Sequence, residues 1–251
     1  MRERMPPEQR KVDPASELMG TQMEHRQRIR EQWKKDAGDL IDAHMFATSV
    51  VANMTSRISG RRFERQSKEI EGRLTLTAQF IQGIEICEVA ISEALYSQAA
   101  ALLKQELETL AAIDEFEKDR RKNGKTPNVG TGAMRAFGPI YGDLNNIAHP
   151  SRDDIARNVV LFEKGEICGP SAIPQYNQEL ARFLYGNHVY FIISLAVQIE
   201  RIFREIFDEG FSKEEEQWLL SATMILLREK VVKLPPEATE DLAHFIENFR
   251  P

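Results

Sequence analysis

Between residues 175 and 209 apolar side chains recur at three- and four-residue steps: Phe183, Leu184, Phe191, Ile192, Leu195, Ile199, Ile202, Phe203 and Ile206. That spacing is the period of a helix and not the two-residue alternation of a strand. A helix so long and so apolar needs other helices around it, and Gly210 is its natural stop. The spacing therefore predicts an all-α helical bundle built about this segment. Its most apolar run, VYFIISLAV at 189–197, has nine residues, well short of the roughly 20 that span a bilayer. His188 and Gln198 bracket that run, which suits a buried core helix better than lipid, so no membrane association is expected.

The same period marks the other helices. Leu40, Ile41, Met45, Phe46, Val50, Val51 and Met54 predict a helix over 36–58, closed by Gly60. Phe80, Ile84, Cys87, Ile91 and Leu95 place another over 67–95, and Leu103, Leu107, Leu110 and Ile113 a third over 97–118. A shorter helix over 134–149 starts or kinks around Gly138-Pro139 and ends before Pro150, which turns His149 away from helical angles. Ser212 caps a helix over 213–232, with Glu214 to Glu216 set against its dipole. A more polar helix over 17–35 rests on the body by Leu18, Met23, Ile29 and Trp33, and its Arg26, Arg28, Arg30, Lys34 and Lys35 read as a solvated face. A last short helix over 238–249 follows Pro235-Pro236. Only 158–167, NVVLFEKGEI, has strand character, with Lys164-Gly165 as a turn. The expectation is about seven helices with at most one small β-hairpin. Residues 1–16 read as a flexible tail, and 17–251 as a single helical domain.

The formal net charge of -6 argues against a nucleic-acid-binding surface covering the whole molecule, though a local basic patch at Arg120, Arg121 and Lys122 fits RNA. Cys87 and Cys168 are the only cysteines, too few for a disulfide framework or a four-cysteine zinc site. They imply a reducing, cytoplasmic compartment. The opening MRERMPPEQRKVDP has no apolar core behind its charges, so it reads as neither secretory signal nor membrane anchor. No phosphate loop of the form G-x-x-x-x-G-K-S/T occurs, and no cofactor is expected. Glu85 and Glu88 stand three apart on one helix face, but the Glu-x-x-His that bundle metal sites add is missing from the chain. His25, His44 and His244 show no ligand spacing either, so no metal is expected. His188 shares a face with Ile192, Leu195 and Ile199; it reads as a satisfied core histidine, with a His149–His188–Glu cluster as the alternative.

Residues 102–113, LLKQELETLAAI, are followed by a basic loop, a helix ending in LNNIAHP at 144–150, and the apolar helix. This order resembles HEPN-like bacterial helical proteins over about 74–210, including families with a Leu-Arg-Glu helix and a later His-Pro segment. In its ribonuclease members the resemblance implies a metal-independent RNA cleavage site: an Arg, a polar residue beside it, three variable residues and a His, assembled across a dimer. Asn145 stands at the polar position and His149 at the His, but Leu144 stands where the Arg belongs. Leucine cannot hold a phosphate. Arg135 and Arg152 are the candidates to replace it, with His149 for proton transfer. Lys104 stands where the related families carry an Arg, one turn from Glu108 and spaced to pair with it. For His149 the competing role is a helix-terminal hydrogen bond. Three functions follow in order: a non-catalytic interaction or sensor protein in bacterial stress or phage defence, with a protein partner or homodimer; a divergent HEPN-type ribonuclease using His149; and a small-ligand binder beside His149, with Lys104, Glu108, Arg120, Arg121 and His188 as binding candidates.

Overall fold

The structure, a computed structural model, describes residues 13–62, 67–130, 132–149 and 153–232. The tail before residue 13, Arg152 and the helix expected over 238–249 lie outside these residues. Eight α-helices are described: α1 Pro14–Asp36, α2 Leu40–Ile58, α3 Lys68–Ser92, α4 Tyr96–Glu117, α5 Gly138–Ala148, α6 Asp153–Val160, α7 Gln178–Phe207 and α8 Lys213–Arg228. A 3-10 helix, Gly132–Phe137, leads into α5, and one antiparallel hairpin pairs β1 Leu161–Lys164 with β2 Ile167–Pro170. The protein is an all-α bundle with one small hairpin.

Helix α7 is the axis. It packs against α2, α3, α4 and α8, and Leu184, Phe191, Ile192, Leu195, Ile202 and Phe203 are all buried. Its start is held from outside: the Tyr96 hydroxyl accepts a hydrogen bond from the Asn177 backbone N–H at 2.9 Å and donates to the Asn177 carbonyl at 3.1 Å. The Asn177 side chain in turn accepts from the Leu180 N–H at 3.0 Å, the expected N-cap bond. The helix ends at Asp208, whose φ of 56° supplies the left-handed cap, two residues before Gly210.

Around this axis α3 and α4 turn tightly at Ala94, which takes φ 59°. Helix α1 begins at Pro14 and not after residue 16; proline is well suited to a first helical position because its missing N–H would have no helical partner. Arg30 of α1 meets Glu88 of α3 at 2.8 Å, and Arg26 and Arg30 each approach Glu93 at 3.7 Å. Part of the expected solvated face is thus a dock, and Glu88 is occupied by Arg30 while Glu85 is exposed. The strand reading at 158–160 fails, because Asn158 to Val160 finish α6 and the hairpin starts at Leu161. A single apolar cluster runs from Ile29 to Leu226.

Helices α3 and α7 are each long and apolar enough to cross a membrane by length and composition, which the nine-residue run at 189–197 did not suggest. The most apolar window of α7 is 61% buried within the bundle and that of α3 is 33% buried.

Candidate functional site

Helix α5 lies on α4 and brings three of the sequence candidates together. Leu144 is its one fully buried residue, turned into the core. On either side of it the polar residues face α4: Lys104 Nζ donates to Asn145 Oδ1 at 3.0 Å, and the Tyr141 hydroxyl donates to Glu108 Oε1 at 2.7 Å. Lys104 also sits 5.2 Å from the centre of the Tyr141 ring, within cation–π range. Burial, aided by the neighbouring Glu108, pushes the Tyr141 phenol up to about 12. Lys104 and Glu108 thus each bond to α5, and the expected pair between them gives way to two cross-helix bonds. A neutral amide and a phenol from α5 thus partner the half-buried Lys104 and Glu108 of α4.

His149 is exposed at the end of α5, its backbone N–H donating to the Asn145 carbonyl at 3.0 Å. It stands four residues after Asn145 as the C-cap of α5, with extended backbone. Arg135 is exposed on the 3-10 helix, without a hydrogen-bond partner among the described residues, and Arg152 is outside them. The basic loop folds back on the acidic end of α4: Arg120 pairs with Asp114 at 3.2 Å and Arg121 with Glu115 at 3.4 Å. Arg121 also donates to the carbonyls of Lys122 and Lys125. Both arginines are held within the chain.

His188 does not join His149. It is fully buried, and its Nδ1 lies 3.0 Å from Glu106 Oε2, at hydrogen-bond distance. Cys87 completes the group: one ligand-type atom from each of Cys87, Glu106 and His188 lies within 4.8 Å of the others. Burial first, and then the Glu106 carboxylate, raise the Cys87 thiol well above its usual range, so it is protonated at neutral pH. Behind His188 the His44 ring stacks at 5.3 Å, Tyr185 lies 5.5 Å from His44, and Trp33 lies 4.8 Å from Tyr185. Burial, with His188 a smaller cause, lowers the His44 imidazole to about 3. The ring is therefore neutral in the folded protein.

Four helices supply this group: α2 gives His44, α3 Cys87, α4 Glu106 and α7 His188. Glu106 Oε1, His188 Nε2 and His44 Nε2 are buried without a hydrogen-bond partner, each a cost of about 1 to 3 kcal/mol if nothing meets them. The sequence reading saw Cys87 and His188 singly and passed over Glu106. The signal was present, since Glu106 falls on the face of Leu103, Leu107 and Leu110, where a carboxylate is out of place without a partner.

No family model matches the chain, and no curated protein or solved structure matches it significantly.

Proposed function

We propose that the protein is a non-catalytic helical interaction or sensor module of the cytoplasm. The observation that carries this reading is Leu144, wholly buried at the position where an RNA-cleaving site of the HEPN kind needs an exposed cation. Asn145, its neighbour, has its side-chain oxygen occupied by Lys104. The resemblance to HEPN-like bacterial proteins supports a role in stress or phage defence, and two free thiols support a reducing compartment. Exposed Leu18, Met19 and Met23 on α1 support a protein partner or a homodimer.

One observation favours the ribonuclease as second reading. Lys104 brings a cation from α4 to Asn145, four residues before His149, and such a cation would stand in for the one missing at Leu144. Labelled RNA incubated with the full chain in EDTA, alongside native mass measurement, separates the two. The expected result is no cleavage and a defined oligomer or complex. EDTA-resistant cleavage that falls about 100-fold or more in folded His149→Ala and Lys104→Ala variants establishes the ribonuclease instead.

A further inference from the structure

The buried group formed by Cys87, Glu106 and His188 is chemically complete in a way that packing does not require. A thiol, a carboxylate and an imidazole from three different helices converge on one point in the core. The cysteine and histidine are fully buried and the glutamate nearly so, at 5% exposure. One carboxylate oxygen and one imidazole nitrogen have no partner, and a native core rarely leaves such atoms unmet without a reason. We propose that these three side chains bind a single zinc-class divalent cation, with the fourth position held by water.

The donor set selects the metal. Thiolate sulfur and imidazole nitrogen favour zinc and its neighbours, whereas magnesium and calcium take oxygen ligands. Three protein ligands with an open fourth position is the arrangement of zinc sites that keep a water. The charges also balance: one thiolate, one carboxylate and a neutral imidazole offset a dication, so no net charge is left in a low-dielectric core. Two ligands on a tetrahedral zinc stand roughly 3.3 to 3.7 Å apart, from bond lengths of about 2.0 to 2.3 Å. The three ligand atoms, all within 4.8 Å of one another, exceed that spacing by at most about 1.5 Å. On binding, the Cys87 S–H bond is replaced by an S–metal bond and its proton leaves to solvent. A small cleft of about 50 Å³ between α3 and α4, lined by exposed Gln79 and Gln105, reaches Glu106 from the surface. His44, stacked on His188, lies behind the ligand set and holds the ring's plane.

The assignment stands on these side chains and not on the function proposed above, so the RNA assay and the following one fail separately. The full chain, stripped of metal with a chelator and kept reduced, is titrated with cobalt(II) as a spectroscopic stand-in for zinc. The expected result is one cobalt per chain, a thiolate-to-cobalt charge-transfer band, tetrahedral visible bands that zinc abolishes, and a higher Tm with either metal. Cys168→Ser keeps the band, Cys87→Ser loses it, and Glu106→Gln weakens binding at least tenfold. Wild-type protein that takes up no stoichiometric cobalt and shows no thermal shift with zinc overturns the proposal, whether or not the variants fold. So does a band that disappears with Cys168→Ser, the exposed thiol near Glu163.

Discussion

His44 links a half-buried ring to pH. Its folded pKa of about 3 lies below the roughly 6.5 of an unfolded histidine, so the unfolded chain binds a proton that the folded chain refuses. Its contribution to stability is complete above about pH 6.5 and declines as pH falls toward 3, by about 1.4 kcal/mol per pH unit. Urea unfolding should show wild type losing roughly 2 kcal/mol between pH 6.5 and 5 from this group, a loss absent in His44→Gln. An equal pH slope in both proteins contradicts it. Residues were also where the sequence was least legible. Lys104 and Glu108 were read as an ion pair because one-turn spacing is local, whereas their actual partners, Asn145 and Tyr141, lie 41 and 33 residues away. Glu106 escaped notice for a related reason: its partner His188 is 82 residues distant.

Among the helices, α2 and α8 are clasped by one buried carboxylate. Glu215, fully buried, accepts from Arg57 Nε at 3.1 Å and Nη2 at 2.9 Å and from Asn53 Nδ2 at 3.0 Å. It also accepts from the Ser212 N–H at 2.7 Å, while Ser212 Oγ accepts from the Glu215 N–H at 3.2 Å, closing a capping box. Glu215→Ala should therefore cost about 3 kcal/mol, the low end for breaking a buried pair, because Arg57 is 28% exposed and recovers water. Ser212→Ala should cost about 1 kcal/mol. Denaturation midpoints that rank the two alike refute the hub. Gly186 marks another contact, since a Cβ there would stand 2.6 Å from Val231. Alanine ordinarily stabilises a helix by up to about 1 kcal/mol over glycine, yet Gly186→Ala should destabilise, and Val231→Ala in the same chain should relieve part of that loss. The helix starts and stops were legible where capping is local, as at Ser212 and Gly60. The hairpin stands where the sequence puts it, but its first strand starts at Leu161 and not at Asn158, because Val159 and Val160, though β-branched, finish α6.

For the molecule as a whole, periodicity was sufficient: the fold class and the central place of α7 both follow from apolar residues at helical steps. Leu195 tests that centre, because it is fully buried in the axis helix; Leu195→Ala should lower stability by about 2 to 5 kcal/mol, and a loss below about 1 kcal/mol removes α7 from the core. The rings that run from Trp33 through Tyr185 and His44 to His188 have a practical consequence. The chain has two tryptophans, and Trp33, 1% exposed, stands at one end of a file of aromatic rings whose other end touches Glu106. Its emission is thereby an optical gauge of the interior, shielded from solvent quenchers, and should respond to a proton on His44 two rings along the file or a cation on His188 three rings along. Trp218→Phe leaves Trp33 as the sole tryptophan, and with excitation that spares the tyrosines the bundle then reports on its own core without a label.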